Sequence, residues 1–302
     1  MYKHKNSEPT LIGIGEILWD QLPTGRKLGG APANFAYHVQ ALGSHATVVS
    51  AVGNDEAGND ILKAMEDIGI NRKFVALDSQ HPTGIVTVGI DSQGGPTYSI
   101  RENAAWDFIP FHPEMETLAG TAEVVCFGSL CQRSSESRTT IQKFLGATRK
   151  GCKRIFDINL RQSYYSRSVL KESLQLANIL KINNDELHIL AKMLDLRGIA
   201  SSQITQLFRM FPLELIALTR GEQGAVVYTP SAISECGGFP VAVVDTVGAG
   251  DAYTAALALG LLAGASLDDI NRRACFLAAF VCSQQGATPK LPTELASKLL
   301  YQ

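Results

Sequence analysis

The chain has 302 residues, of which 45% are hydrophobic, and this suits one large α/β domain with ample material for a core. A net charge of -2 gives no electrostatic reason to expect binding to nucleic acid or to an anionic membrane surface. The most apolar segment, 253–267, is shorter than the roughly 20 residues of a membrane span. We therefore expect a cytoplasmic protein with no membrane or nucleic-acid partner.

Short apolar runs alternate along the chain with amphipathic stretches, and this alternation is typical of repeated strand-helix units. Buried strands are predicted at 10–16, 46–53, 122–128, 153–159, 177–183 and 214–219. Helices are predicted at 31–42, 55–68, 134–150, 166–175, 185–194 and 201–211. The order predicts an α/β fold in which a central, mostly parallel sheet is flanked by helices on both faces.

One region breaks this rhythm. Apolar and polar residues alternate over 83–91 and 95–103, on either side of the turn-forming stretch SQGG, and this predicts a β-hairpin without a crossover helix. A hairpin inserted in an α/β chain is a candidate lid, to which 22–30 can add a strand. We expect a single domain over 1–302, with lid strands inserted at about 20–30 and 83–107.

The stretch VVDTVGAGDAY, 243–253, carries the clearest chemical signal. A strand at 241–244, a glycine loop and a helix from about Ala249 would place Gly248, Ala249 and Gly250 at a helix start, where free N–H groups bind anions. The helix dipole would hold Asp251 ionised, so that it can accept a proton during phosphoryl transfer. The alternative is that Asp251 only caps a helix and the glycines only form a tight turn.

Two other nucleotide-binding motifs are excluded or disfavoured. The chain contains no G-x-x-x-x-G-K-[ST] sequence, so there is no Walker loop. A dinucleotide-binding pattern begins at Gly13-Ile14-Gly15, but Leu18 occupies its third glycine position. An oxidoreductase of the Rossmann type is therefore a poor interpretation.

The glycine stretch GGAPANFA (29–36) and the stretch DTVGAGDAY (245–253), in this order, resemble the two signatures of the ribokinase-like, or PfkB-type, sugar kinases. Three intermediate segments are also similar to that family: FDINLR (156–161), INNDEL (182–187) and TRGEQGA (219–225). The region 271–289 resembles the part of the family that surrounds adenine. The resemblance covers nearly the whole chain and implies a ribokinase-like α/β fold with a small β-sheet lid.

The resemblance also implies a role for particular residues. The base is Asp251, and the anion hole is Gly248, Ala249 and Gly250. The residues implied to bind the sugar or the phosphates are Asp20, Gly30, Asn34, Arg101, Asn159 and Arg161. The residues implied to bind the nucleotide are Thr219, Gly221, Gly224 and Gly286, and those implied to act on Mg²⁺ through water are Asn183 and Glu186. A monovalent cation such as K⁺ would lie near Asp245, Thr246 and Gly286.

Plainer structural roles stay open for several of these residues. Asn34 can satisfy the N–H groups of a helix start, and Asn183 can cap a helix. Arg101 can be a solvated hairpin residue, and Asn159 and Arg161 can be ordinary polar residues at a strand end. For Asp20 and Asn34, the carboxylate and amide groups also suit the recognition of sugar hydroxyls.

The form of the first glycine motif bears on the substrate. Ribokinases commonly carry a lysine after the glycine pair, whereas this chain has Ala31 there, which looks like fructokinases. The resemblance therefore implies ATP-dependent phosphorylation of fructose to fructose 6-phosphate. The alternatives are a kinase for 2-keto-3-deoxygluconate, ribose, tagatose phosphate or a nucleoside, and a non-catalytic sensor of sugar or nucleotide. The family commonly dimerises through its lid, so we expect a homodimer.

Overall fold

The computed structural model describes residues 10–22, 25–90 and 96–299. Its strands are β1 (Leu11–Ile14), β2 (Leu18–Leu22), β3 (Gly25–Gly29), β4 (Ala46–Gly53), β5 (Asn71–Asp78), β6 (Gly84–Ile90), β7 (Pro96–Ile100), β8 (Val124–Phe127), β9 (Lys153–Asp157), β10 (Ile179–Asn183), β11 (Leu215–Thr219), β12 (Ala225–Tyr228) and β13 (Ile233–Cys236). Its helices are α1 (Ala31–Ala41), α2 (Glu56–Asp67), α3 (Pro113–Thr121), α4 (Ser135–Gly146), α5 (Arg167–Leu176), α6 (Asn184–Leu194), α7 (Ala200–Met210), α8 (Ala249–Leu262), α9 (Leu267–Cys282) and α10 (Thr293–Leu299).

The large sheet of the described chain has nine strands in the order β13-β12-β11-β10-β9-β8-β1-β4-β5. All neighbouring strands from β11 to β5 run parallel, whereas β12 and β13 form an antiparallel edge beside β11. The prediction of a mostly parallel sheet between helices is confirmed. The sequence patterns did not predict β5, β12 and β13, which are the outer strands of this sheet.

The core lies in two layers, one on each face of the large sheet. Helices α1, α2, α8 and α9 contribute to one layer, and α3 to α7 contribute to the other. Successive residues of a strand enter opposite layers, so Ile155 of β9 belongs to the first layer and Phe156 to the second. On β10, Ile179 and Leu180 divide in the same way. This alternation decides which side chains of β9 and β10 lie beneath α8.

A separate four-stranded sheet has the order β3-β2-β6-β7. Strands β6 and β7 pair antiparallel, in agreement with the hairpin predicted there, and the turn predicted at 92–95 lies outside the described residues. The predicted lid strands end at Ile100, because Ala105–Phe108 forms a 3₁₀ helix. That the whole chain, 1–302, forms a single domain with inserted lid strands stays a prediction.

The apolar segment 253–267 divides between two helices. It supplies most of α8, turns at Gly264 with a φ of 66°, and reaches the start of α9. Most side chains of α8 are buried, so its apolar character is that of a core helix. None of the helices described for residues 10–22, 25–90 and 96–299 is long and apolar enough to cross a membrane.

The strand predicted at 241–244 is wrong. These residues have no regular secondary structure, and Val241, Val243 and Val244 are exposed. Valine favours strands, but the edge of the large sheet is already occupied by β13. The segment instead turns back to α9, where the N–H of Val244 donates to the carbonyl of Cys282 at 2.9 Å. This bond satisfies one of the carbonyls that a helix end leaves free.

Candidate active site

Most of the predicted site residues lie at one edge of the large sheet, where its parallel strands end. Asn159 and Arg161 follow β9, Asn183 ends β10, and Thr219 ends β11. In open α/β sheets, ligands bind outside the carboxyl ends of the strands. Helix α8 begins at the same edge, so the fold brings distant motifs together there.

The start of α8 is built from glycine for two separate reasons. Gly248 precedes the helix with a φ of 80°, and a Cβ at this position would lie 2.5 Å from Ala287. A Cβ at Gly250 would lie 2.6 Å from Nζ of Lys181. No side chain caps α8, and the N–H of Ala249 makes only a long contact of 3.4 Å with the carbonyl of Thr246, so this helix start suits an anion. This geometry suits the predicted anion hole of Gly248, Ala249 and Gly250.

The loop before α8 is fixed by Asp245. One carboxylate oxygen of Asp245 accepts from the N–H of Val247 at 3.0 Å, and the other accepts from the N–H of Gly286 at 3.0 Å. Asp245 therefore joins the loop before α8 to the loop after α9. Thr246 lies exposed between these contacts.

Asp251 lies partly buried in the first turn of α8 and contacts α1. Nδ2 of Asn34 donates to Oδ2 of Asp251 at 2.9 Å, which leaves Oδ1 for another donor. Burial raises the pKa of Asp251 to about 7, and the negative charge of Asp157 adds to the rise. The hydrogen bond from Asn34 and the positive charges of Lys181 and Arg161 oppose this rise.

The helix dipole was expected to hold Asp251 ionised, whereas a pKa of about 7 means that its neutral form is also present near neutral pH. Desolvation of the charged form outweighs the hydrogen bond and the neighbouring cations. A carboxyl group with a pKa near 7 can still serve as a base, because catalytic bases work best with a pKa near the operating pH. That Asp251 is the base stays a prediction.

Two further carboxyl groups of this region have raised pKa values. Burial raises the pKa of Glu16, which follows β1, to about 7, and the charge of Asp251 contributes. Burial raises the pKa of Asp20, on β2, to about 6. The charge of Arg161 lowers the pKa of all three acids, although its side chain is exposed and its Nη1 donates to the carbonyl of Leu160 at 3.2 Å. Groups with perturbed pKa values around a cleft are a mark of functional sites.

The first glycine motif brings Gly30, Asn34 and Asp20 to the same place. Gly30 has a φ of 102°, and a Cβ there would collide with the carbonyl of Glu16. Asn34 is buried, and its Oδ1 has no hydrogen-bond partner within the described chain. The carboxylate of Asp20 lies against Gly29, where a side chain would displace it. Asn34 Oδ1 is therefore a buried acceptor without a partner in the described chain.

Asn183 and Glu186 form a capping box at the start of α6. Oδ1 of Asn183 accepts from the N–H of Glu186, and Oε2 of Glu186 accepts from the N–H of Asn183, both at 2.9 Å. Oε1 of Glu186 accepts from the N–H of Leu160 at 3.1 Å. The plainer capping role of these residues is thus present, and their predicted role toward Mg²⁺ stays a prediction.

The residues at this edge are compatible with Mg²⁺ bound through water or phosphate. No group of three or more His, Cys, Asp or Glu side chains within residues 10–22, 25–90 and 96–299 could hold a metal ion directly. The oxygens of Asn183 and Glu186 already accept backbone hydrogen bonds but retain free lone pairs for water. Mg²⁺ usually keeps several waters and binds substrate phosphates, so this arrangement fits it.

The predicted nucleotide residues follow β11 and α9. Thr219 ends β11, and Gly221 next to it has a φ of 58° with open space around the position of a side chain. Gly224 has a φ of 80° and lies against the backbone of residues 236–238. Gly286 has a φ of 84° and lies against Lys27 of β3, whose Nζ donates to the carbonyl of Gln285 at 3.2 Å. The loop beside Gly286 therefore contacts the small sheet.

Arg101 and Asn159, two of the predicted site residues, have contacts or backbone conformations with a structural role. Arg101 donates to the carbonyl of Thr83 at 3.2 Å, and its charge lowers the pKa of Asp55, which caps α2. Its role toward the substrate stays a prediction. Asn159 has a φ of 40°, a left-handed conformation that asparagine tolerates better than most residues. It shapes the turn that carries Arg161 into the site.

Sequence reasoning missed four buried polar residues of this region: Glu16, His38, Asp157 and Lys181. Nζ of Lys181 lies 3.0 Å from Oδ1 of Asp157, in the sheet layer beneath α8. His38 of α1 contacts the carbonyl of Ala287 at 2.9 Å. The available signal was Lys181 in the middle of the otherwise apolar strand ILKIN. Asp157 ends the strand KRIFD, which also begins with two charged residues, so its pattern gave no such signal.

Comparison with known proteins gives a consistent result. The sequence model of the pfkB family of carbohydrate kinases matches residues 21–294. A fructokinase from Salmonella typhimurium is 31% identical over 271 residues, which are 85% of this chain and 86% of that protein.

Solved structures agree on the fold. A fructokinase with bound ATP from Xylella fastidiosa superposes with a TM-score of 0.84 at 24% identity, over 96% of this chain and 97% of the other. A fructokinase from Vibrio cholerae O395, in a form with fructose, ADP and a calcium ion bound, has a TM-score of 0.82 at 22% identity, over 97% and 99% of the two chains. At these identities the superpositions show the ribokinase-like fold alone.

Proposed function

Because the chain belongs to the pfkB family of carbohydrate kinases, we propose that it transfers the γ-phosphoryl group of ATP to a hydroxyl group of fructose. The product would be fructose 6-phosphate. The 31% identical relative is a fructokinase, and Ala31 follows the glycine pair as in the fructokinase form of the motif. Kinases for 2-keto-3-deoxygluconate, ribose, tagatose phosphate or a nucleoside are the alternatives on this fold.

The observation that carries the proposal is the meeting of Asn34, Asp251 and the uncapped start of α8. Asn34 occupies Oδ2 of Asp251, so Oδ1 is free to accept the proton of a sugar hydroxyl. The hydroxyl oxygen then forms a bond to the γ-phosphorus, and the bond from that phosphorus to the β–γ bridging oxygen breaks, which releases ADP. The N–H groups of Gly248, Ala249 and Gly250 would stabilise negative charge on the moving group.

Other residues are assigned around this reaction. Asp20, Gly30 and Asn34 would contact sugar hydroxyls, and Arg161, which acts on three acids of the site, would contact the sugar or the phosphates. Thr219, Gly221, Gly224 and Gly286 would line the nucleotide channel. Mg²⁺, which neutralises phosphate charge when bound, would be held through water by Asn183 and Glu186.

Three further assignments complete the proposal. K⁺ would bind near Asp245, Thr246 and Gly286, where Asp245 joins two loops. The enzyme would form a homodimer through the small sheet, whose outer strands β3 and β7 have unpaired edges within the described sheet. Light scattering at several protein concentrations would measure the dimer. The cytoplasmic location stays a prediction.

An ADP-release assay over fructose, ribose, 2-keto-3-deoxygluconate and adenosine tests the substrate. We expect the largest kcat/KM for fructose, and a larger value for another member of the panel would replace fructose as substrate. Turnover with none of them would favour a non-catalytic sensor.

The base is tested by Asp251→Asn. We expect kcat to fall by about 100-fold or more with little change in the affinity for sugar, as general bases contribute on that scale. Asp268→Asn is the matched control, because Asp268 is an exposed acid in the first turn of α9. Wild-type kcat in Asp251→Asn would exclude Asp251 as the base.

A further inference from the structure

Lys181 and Asp157 form a buried ion pair directly beneath the start of α8. They are register partners on the parallel strands β10 and β9, and Nζ of Lys181 lies 3.0 Å from Oδ1 of Asp157. Their side chains are 8% and 3% exposed. Ile155 and Ile179, two positions earlier on each strand, belong to the core layer of α8, so the pair faces the same helix.

The pair is tied to the first turn of α8 by two contacts. The hydroxyl of Thr254 on α8 lies 3.0 Å from Oδ2 of Asp157 and 2.9 Å from the carbonyl of Gly250, and it donates its single proton to one of these two acceptors at a time. The ammonium group of Lys181 lies so close to Gly250 that any side chain there would have to displace it. Both oxygens of Asp157 are thus engaged, one by β10 and one by α8.

A need for stability does not explain these charges. Removing two ions from water is costly, and well-packed apolar residues of similar volume often stabilise a protein as well or better. The layer around the pair is otherwise apolar, since Ile155, Ile179 and Leu257 are all buried there. A charged pair in this position therefore points to a role at the helix start above it.

We propose that Lys181 and Asp157 are positioning residues of the kinase, whose ion pair holds the first turn of α8, and with it the anion hole and Asp251, against the ends of β9 and β10. The inference rests on the proposed role of Asp251 as the base. The pair acts through Thr254 and Gly250 on the backbone, and through its charges on the carboxyl group of Asp251.

The two charges act on Asp251 with opposite sign. The negative charge of Asp157 raises the pKa of Asp251, and the positive charge of Lys181 lowers it. Burial alone would lower the pKa of Lys181, but the charges of Asp157, Glu186 and Asp251 outweigh burial and raise it, so Lys181 stays protonated.

The other groups around Asp251 belong to four segments of the chain. They are Asn34 on α1, Glu16 after β1, Cys126 on β8 and Arg161 after β9. None of them is replaced in the two variants, but the charges of Asp157 and Lys181 also act on the pKa of Cys126, so it is the opposite direction of the two shifts that reports the pair.

The test is the pH dependence of kcat for Lys181→Met and Asp157→Asn in the full-length enzyme. We expect the acid limb of the profile to move to higher pH in Lys181→Met, because a cation near Asp251 is lost. We expect it to move to lower pH in Asp157→Asn, because an anion is lost. In both variants the plateau of kcat should fall about tenfold or more, while KM for sugar and ATP stays within about twofold, since a misplaced catalytic group costs rate on this scale.

Arg133→Met is the matched control, because Arg133 and Asp107 form a second buried ion pair with exposures of 8% and 4%. It should destabilise the fold without moving the acid limb. If Lys181→Met and Asp157→Asn move the limb in the same direction, or behave as Arg133→Met does, the proposal is wrong. An active Asp251→Asn would instead contradict the base, which is a separate result.

A second set of variants covers the case in which the charge variants do not fold. Thr254→Val keeps the ion pair but removes its hydrogen bonds to α8, and we expect kcat to fall about tenfold. Thr254→Ser restores the hydroxyl and should recover most of this loss. Equal kcat in Thr254→Val and the wild type would show that the pair does not position α8.

Discussion

The interior contains two ion pairs of nearly equal burial, and their geometry differs in an instructive way. Arg133 meets Asp107 with two parallel contacts of 2.7 and 2.8 Å, and its guanidinium lies over the rings of Trp106 and Tyr164. This pair is closed, because the planar donor matches both carboxylate oxygens. Its contacts hold the 3₁₀ helix Ala105–Phe108 to the segment before α4.

The pair Lys181–Asp157 is open by comparison. Lysine presents a compact charge to one carboxylate oxygen, and the other oxygen is left for Thr254 of α8. The charges of this pair reach Asp251, whereas the pair on the opposite face has no contact with the start of α8 among those described. Burial and ion pairing alone therefore do not mark a functional residue. What matters is which backbone and which titratable group the pair contacts.

The largest expected effect on stability comes from removing Arg133 from its ion pair with Asp107. Arg133→Met leaves Asp107 buried without its partner and should lower the free energy of unfolding by about 3–5 kcal/mol, measured by urea denaturation. The kcat of the folded enzyme should be unchanged. Arg133→Met/Asp107→Leu is the control, because it removes the orphaned charge and should recover much of the loss. A lower kcat in the folded fraction would contradict the claim that only the Lys181–Asp157 pair acts on catalysis.

The active-site face should respond to pH through His38, whose Nε2 lies 2.9 Å from the carbonyl of Ala287. Burial lowers the pKa of His38 to about 4, and the bond to Ala287 only partly opposes this. The carbonyl can only accept, so Nε2 carries the proton of the neutral ring. The unfolded chain binds a proton below its ordinary pKa, so stability is lost as the pH falls from about 6.5 to about 4.

Over this range the loss from His38 is about 3 kcal/mol, since one pKa unit corresponds to about 1.4 kcal/mol. His38→Gln keeps an N–H donor but does not titrate, so its unfolding free energy should fall less steeply over the same range. Asp20, Glu16 and Asp251, whose raised pKa values act in the opposite direction, are present in both proteins. Parallel curves for the two proteins would show that His38 is not the responsible group.

Gly250→Ala tests how closely the open pair and α8 are fitted together. The new Cβ would lie 2.6 Å from Nζ of Lys181, so either the ammonium group or the helix start must move. We expect kcat to fall by about 100-fold, which corresponds to about 2.7 kcal/mol. Gly120→Ala on α3 is the control, because a Cβ there meets no atom within 4 Å. Wild-type kcat in Gly250→Ala would mean that the start of α8 tolerates displacement.

Asp251 and the ion pair beneath it differ in how far they could be predicted from the sequence. Asp251 and its glycines were found because their chemistry lies within one short stretch. Asp157 and Lys181 were missed because they become partners only when β9 and β10 pair in register. The strand predicted at 241–244 was wrong because valine content says nothing about whether a neighbouring strand is free. Glu16 was missed for a similar reason, since its raised pKa depends on burial that the folded chain creates.

Short sequence patterns were sufficient to predict those elements that are determined by neighbouring residues in the chain. Pro32 lies in the first turn of α1, and Gly43 follows that helix with a φ of 80°, and both residues are local signals of helix boundaries, where a helix was predicted at 31–42. Short apolar runs predicted the parallel strands β1, β4, β8, β9, β10 and β11 within a few residues. The outer strands β5 and β13 escaped detection because one side of each is exposed, which weakens the apolar pattern.

The smallest expected effect concerns Asn183, whose capping role the structure displays and whose role toward Mg²⁺ is proposed. Asn183→Ala removes the acceptor for the N–H of Glu186 and should lower the free energy of unfolding by about 1 kcal/mol. Asn183→Ser is the control, because serine also caps helices and should restore most of that stability.

The Mg²⁺ concentration for half-maximal activity separates the capping role of Asn183 from its proposed role toward Mg²⁺. If it rises in both variants although serine restores stability, Asn183 also acts on the metal, because the serine hydroxyl cannot replace the longer amide toward a bound water. If this Mg²⁺ concentration is unchanged in both variants, Asn183 is only a helix cap.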